Sequence, residues 1–245
     1  MLAFKDVGRG APVVLIHAFP LSSKMWARLK SLEGVRLITP DLPGFAGSER
    51  QAKPSIPEMA KEIARLLDSL KLAEPVILGG LSMGGYVAFE FLRQFPGRVR
   101  GLGLFSTRAA ADTPEARQKR MKTIELIQAE GVEAFAEKTL PNLVGKTSRE
   151  TRPEVVGEVT QMILANRAEA IIDALRAMAE RRDSADLLGS IRIPTLVVAG
   201  EEDTFVPLSE ARAMQEKIPG SKFRVQSKAK HLRSRLTPYL KTGSM

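Results

Sequence analysis

The 245-residue chain has no cysteine, which removes disulfides, thiolate metal sites and a cysteine nucleophile together. The same absence fits a reducing compartment. Histidine is almost as scarce. Only His17 and His231 occur, so a three-histidine zinc site cannot be built, and any imidazole base must be one of these two. No apolar run approaches the ~20 residues of a membrane span. The first residues lack the basic segment followed by an apolar core that a secretory signal needs. These absences lead to the expectation of a soluble, cytoplasmic protein with no membrane partner. Acidic residues are missing after Glu216, and Lys217, Lys222, Arg224, Lys228, Lys230, Arg233, Arg235 and Lys241 supply nearly all of the net charge of +9. A basic tail without interleaved aromatics or a binding motif predicts no specific nucleic-acid partner.

Apolar runs of strand length stand at Pro12–His17, Val35–Thr39, Val76–Leu78, Val99–Phe105 and Pro194–Gly200, with a last strand expected over Lys222–Ser227. Near-continuous Val/Ile/Leu runs suit parallel strands buried on both faces. Helical spacing falls between them, as in Pro57–Leu70 and Gly85–Phe95. Alternating strands and helices predict an α/β fold with a mostly parallel central sheet flanked by helices. The stretch 107–188 breaks the rhythm with amphipathic helices over Pro114–Glu130, Val132–Thr139, Pro153–Ala165 and Ala168–Arg182. It reads as a helical cap inserted into a core made of 1–106 and 189–245, laid over the strand ends where open α/β sheets bind ligands.

Chemistry concentrates in Gly80-Leu-Ser82-Met-Gly84, between a strand and a helical pattern. Glycines at both second neighbours permit a turn too sharp for a flanking Cβ, and the helix N-terminus lies directly behind the serine hydroxyl. A nucleophilic serine needs a base, and the base an orienting acid. His231 follows the last expected strand and is the candidate base. His17 ends the first strong strand, where it is better suited to brace its turn than to transfer protons. That turn continues through Ala18-Phe19-Pro20, and the backbone N–H groups of Phe19 and Met83 are the candidate oxyanion donors. The acid falls in Gly200-Glu-Glu-Asp203-Thr-Phe-Val-Pro207. Asp203 is preferred, being furthest into the turn and ahead of an apolar anchor. Glu201 and Glu202 are expected to be exposed, with Glu202 the fallback.

The order Ser82, Asp203, His231 is that of the α/β-hydrolase triad. With Leu15-Ile-His-Ala-Phe-Pro20, Trp26, Asp41-Leu-Pro-Gly-Phe-Ala-Gly-Ser48, Gly80–Gly84 and Gly200–Asp203, the chain resembles the α/β-hydrolase superfamily over nearly its whole length. Within it the chain is most similar to small capped bacterial esterases and the 3-oxoadipate enol-lactonase-like group. The resemblance implies a serine carboxylesterase without metal or organic cofactor, and the apolar helical faces of the cap suggest small, fairly hydrophobic esters. A lactone, a thioester or a C–C bond is the alternative, with Arg108 available to a substrate carboxylate or simply solvated. A binding protein with an inactive triad is the alternative of another class. Two positions depart from the family pattern. Ala18 stands where the family has glycine, which costs about 1 kcal/mol if the turn needs positive φ there. The basic segment after His231 replaces an acidic amphipathic helix and reads as altered or truncated coding sequence.

Overall fold

The computed structural model describes residues 1–29 and 33–226. Among these residues the apolar runs form the inner strands of a seven-stranded sheet. Its strands are β1 (Phe4–Gly8), β2 (Ala11–Ile16), β3 (Val35–Pro40), β4 (Val76–Leu81), β5 (Val99–Phe105), β6 (Thr195–Gly200) and β7 (Lys222–Gln226). They lie in the order β1-β3-β2-β4-β5-β6-β7. β1 runs antiparallel to β3, and every other neighbouring pair is parallel. Val13, Val14, Leu15 and Ile16 of β2 are all buried, as a strand covered on both faces requires.

The helices are α1 (Ile56–Ser69), α2 (Met83–Gln94), α3 (Pro114–Leu143), α4 (Lys146–Thr151), α5 (Pro153–Leu164), α6 (Ala168–Ala179), α7 (Ala185–Leu188) and α8 (Leu208–Glu216). Local chemistry sets their starts. Ser55 caps α1 by accepting the Glu58 N–H at 3.3 Å, and Thr113 caps α3 through Ala116 at 3.2 Å. Each cap is followed by a proline in the first turn, where the missing N–H costs nothing. Inside α3, Gly131 adopts φ 84° and ψ −177°, splitting the helix where the sequence pattern separates two.

Helices α3 to α7 all fall between β5 and β6 in the chain. Their apolar positions Ile124, Ile127, Ile163, Ile171, Leu175 and Met178 are buried in the same cluster as Val14, Leu78 and Val87. These faces are core packing that joins the helical block to the sheet layer. Each such side chain contributes about 1.5–3 kcal/mol through burial.

A buried ionic knot adds a second join. Asp112, just ahead of α3, accepts hydrogen bonds from Arg120 and, at 2.6 Å, from Arg181 beyond α6. Arg181 also donates to the carbonyls of Met178 and Ala110, and its guanidinium lies 4.0 Å from the ring centroid of Tyr86 on α2. Burial works to raise the Asp112 carboxyl, but the two arginines outweigh it and hold the group below its ordinary value. No helix among the described residues is long and apolar enough to cross a membrane.

Sequence periodicity misses β1, α4, α7 and α8; α4 buries none of its residues and α7 is only four residues long. All five residues of β1 are exposed, so it carries no apolar signal; it is held by its ladder to β3 and by the Arg36–Asp6 ion pair at 2.7 Å. In α8 only Ala211 and Met214 are buried, too few to mark a helical face.

Replacing Arg181 with leucine should lower the urea-unfolding free energy by about 3 kcal/mol at pH 7, because Asp112 loses one of its two cations. The Asp112 contribution is present above its unfolded value of 3.8 and is lost as pH falls below it. A change under about 0.5 kcal/mol would show that the knot does not stabilise the fold.

Candidate active site

Parallel pairing brings the candidate residues to one edge. Ile16 is in register with Gly80, Leu81 with Phe105, Phe105 with Val198, and Gly200 with Gln226. The residues that follow these strands therefore emerge side by side: His17 to Phe19, then Ser82, then Ser106 and Thr107, then Glu201 to Asp203. His231 lies outside the described residues, five positions after the last residue of β7.

Ser82 joins β4 to α2 with φ 52° and ψ −111°, a left-handed conformation that costs about 1–3 kcal/mol for a residue with a Cβ. Hydrogen bonds hold it there. Its N–H donates to the Phe105 carbonyl at 2.9 Å, and its carbonyl accepts from the Gly85 N–H at 2.9 Å and the buried Thr107 hydroxyl at 2.8 Å. The glycines are required by space. A Cβ on Gly80 would lie 2.1 Å from the Gly84 carbonyl, and one on Gly84 would lie 2.4 Å from the Ile16 oxygen and 2.9 Å from the His17 oxygen. The first turn of α2 thus rests on the end of β2. Met83 is the first residue of α2, and its N–H is among those a helix leaves unpaired.

His17 is fully buried with both ring nitrogens engaged. Nδ1 donates to the Ala18 carbonyl at 2.9 Å, and Nε2 accepts from the Leu42 N–H at 2.9 Å. These partners define a neutral tautomer. Burial lowers the imidazole pKa below its ordinary 6.5, against the opposing pull of the Ala18 hydrogen bond and the Asp41 charge. His17 is therefore a brace, as expected at a strand end. It also has a directional effect. The Ala18 carbonyl and the Phe19 N–H belong to one planar peptide unit, and that carbonyl is fixed by His17 and by the Leu21 N–H at 2.9 Å. The Phe19 N–H is oriented as a result, and it has no hydrogen-bond partner among the described residues. Ala18 does not have positive φ, so the strain considered for it is absent.

Asp203 is half-buried after β6. Its Oδ1 accepts from the N–H groups of Phe205 and Val206, both at 2.9 Å, and none of its hydrogen bonds among the described residues uses Oδ2. Glu202 is not the exposed residue expected. Its carboxylate accepts from the Thr147 hydroxyl at 2.6 Å and the Thr147 N–H at 3.2 Å, which ties the loop to α4. Glu201 is exposed. The apolar anchor is also smaller than expected: Val206 is buried, whereas Phe205 is 52% exposed. Arg108 is half-buried and held by protein groups rather than simply solvated. It donates to the Phe205 carbonyl and pairs with Glu210 at 3.4 Å, steadying the loop that carries Asp203. No group of three or more His, Cys, Asp or Glu residues among those described could hold a metal ion.

A sequence model of the alpha/beta hydrolase fold matches residues 11–233. The chain belongs to the α/β hydrolase fold family. It is 40% identical to a thermophilic esterase from Thermogutta terrifontis, with a TM-score of 0.91 over 98% of this chain and 91% of that one. It is 29% identical over 234 residues to the AB hydrolase superfamily protein YisY of Bacillus subtilis (strain 168), covering 90% of this chain and 84% of that protein. The enol-lactonase from Burkholderia xenovorans LB400 shares the fold at 22% identity, with a TM-score of 0.85 over 99% of this chain and 94% of that one. The α/β hydrolase match extends past residue 231, so it includes the second histidine.

The buried neutral His17 predicts a pH effect on stability of this α/β hydrolase. The unfolded chain takes up a proton near pH 6.5 and the folded chain only at lower pH. The stability contribution is therefore full above about 6.5 and falls below it, by up to about 1.4 kcal/mol per pH unit. Urea-unfolding free energies from pH 7.5 to 5.5 should fall more steeply for the wild type than for His17→Asn. Equal slopes would refute a buried neutral His17.

Proposed function

We propose that this chain is a serine hydrolase that cleaves carboxylic esters of small, fairly hydrophobic substrates through an acyl-enzyme on Ser82. The observation that carries this reading is the left-handed Ser82 at the strand–helix turn, with the N-terminus of α2 behind it and the His17–Phe19 turn alongside. A strained serine at the carboxyl edge of a parallel sheet is the arrangement a nucleophile needs. The 40% identity to an esterase, over nearly all of both chains, supports the ester as substrate.

In this reading His231 takes the Ser82 proton as Oγ attacks the ester carbonyl carbon. The oxyanion that forms is held by the N–H groups of Phe19 and Met83. His231 then gives the proton to the departing alkoxide, and the alcohol leaves. Water attacks the acyl-enzyme with His231 again as base, releasing the carboxylic acid and restoring Ser82. Asp203 holds the imidazole by accepting its Nδ1–H on Oδ2, since Oδ1 is occupied by two backbone donors. Glu202 is less suited to that role because its carboxylate is already engaged by Thr147. Residues 107–188 act as the cap, and 1–106 with 189–245 as the core that carries the reacting groups. Arg108 is already paired with the Phe205 carbonyl and Glu210, so it is not a dedicated carboxylate site that would favour a lactone over an ester.

Ser82→Ala should lower kcat on p-nitrophenyl butyrate by about 10⁴-fold or more while leaving the fold intact. A fluorophosphonate probe should label the wild type and not the variant. An unlabelled wild type with no ester turnover would overturn the proposal and favour a ligand-binding role.

A further inference from the structure

Asn166 lies between α5 and α6, is only 5% exposed, and spends its whole side-chain amide on three backbone partners. Nδ2 donates to the Pro20 carbonyl at 2.9 Å and to the Met162 carbonyl at 2.8 Å. Oδ1 accepts from the Ala46 N–H at 3.1 Å. Met162 belongs to the same helical block, so that bond fixes the amide plane locally. The other two reach outward, one to the turn that carries Phe19 and one to the 41–48 loop.

Both outward partners are in demanding places. Ala46 has φ 45°, a left-handed conformation that its Cβ disfavours, so an acceptor for its N–H helps to hold it. Phe45 beside it packs edge-on against His17, with ring centroids 5.2 Å apart. Leu42 of the same loop donates to His17 Nε2. Pro20 follows Phe19 directly. The turn and the loop are therefore joined by His17 on the inside and by Asn166 on the outside. The helical block is seated there by two further contacts. Arg50 pairs with Asp173 at 2.6 Å, and Gly44 leaves so little room that a Cβ would lie 2.9 Å from that of Ala170.

We propose that Asn166 is a positioning residue that couples the seating of the helical block to the direction of the Phe19 N–H, by holding the Pro20 carbonyl and the Ala46 N–H with one rigid amide. It does not touch substrate. It acts on the turn, and so on the fit of the site to a tetrahedral oxyanion rather than to the planar ester. The inference rests on the serine-hydrolase reading above. No other residue type offers this donor pair and acceptor at the same reach. Aspartate has the same shape but would set acceptor against acceptor at Pro20 and Met162.

The test compares wild type, Asn166→Ala and Asn166→Asp on p-nitrophenyl butyrate and against an alkylboronic acid, which adds to a serine hydroxyl to give a tetrahedral anion. Both variants should lose about 10- to 100-fold in kcat, with KM within about twofold and boronate affinity reduced in parallel with kcat. If Asn166→Ala does not unfold cooperatively, Asn166→Ser takes its place, since serine can keep the local bond to the Met162 carbonyl but is too short to span Pro20 and Ala46. A folded variant with wild-type kcat and boronate affinity overturns the inference. Amide hydrogen exchange of segments 17–21 and 41–48 tests the coupling without turnover. Faster exchange in both segments of the variants is expected, and unchanged exchange overturns the proposal. A wild type that turns over no ester but whose variants exchange faster would sink the serine-hydrolase reading and leave the coupling standing.

Discussion

The backbone of the Gly80–Gly84 turn lies against the carbonyls of Ile16 and His17 with no room for one added carbon atom. Much of the candidate site follows from that contact. It brings the first turn of α2 onto the end of β2, so the Met83 and Phe19 amides belong to neighbouring segments. It requires Ser82 to turn through a left-handed conformation, which raises its side chain at the sheet edge. The cost of that conformation is met by three hydrogen bonds to Phe105, Gly85 and Thr107 from the adjoining strand end and helix. Ser106 at the end of β5 also has positive φ, at 41°, so two strained serines sit at the same edge. Strain of this kind persists only where the surroundings over-determine it.

The support around this contact is mostly polar and buried, and its components are satisfied one by one. His17 uses both ring nitrogens on backbone groups, Asn166 uses its whole amide, and Asp41 accepts the Ser23 N–H at 2.7 Å while its own carbonyl takes the Ser48 hydroxyl at 2.6 Å. Groups of this sort are directional, so they fix where a peptide plane points, which apolar packing does poorly. The loop after β6 follows the same plan. Arg108 holds the Phe205 carbonyl, Thr147 holds Glu202, and Asp203 is left with one oxygen committed to the backbone. Thr147 and Asn166 both lie between β5 and β6 in the chain, so the helical block touches the edge at the loop that carries Asp203 and at the turn that carries Phe19.

The inner strands, α1, α2 and the longer helices α3, α5 and α6 were legible because a buried element repeats its apolar residues at the period of its own geometry. The serine turn was legible because glycine at fixed offsets is what a backbone in close approach demands. Elements without such a signal were not. β1 is exposed along its length, and α8 buries only two residues. Glu202 read as a solvated neighbour of Asp203 because nothing local marks its partner, Thr147, which lies 55 positions earlier. Asn166 gave no signal either, since an asparagine between two helices is an ordinary turn residue until its partners at Pro20 and Ala46 are known.

Composition and order along the chain were enough to exclude cysteine chemistry, to leave two histidines, and to place a serine between a strand and a helix. Those conclusions depend on residue identity and short spacing, which folding does not alter. Which groups the bracing His17 holds, how Glu202 is engaged, and whether Ala18 is strained were matters of geometry between segments that only the fold brings together. Hydrogen bonds and excluded volume act over about 3 Å, and that separation exists only once the sheet has set its register and the helices have packed on it.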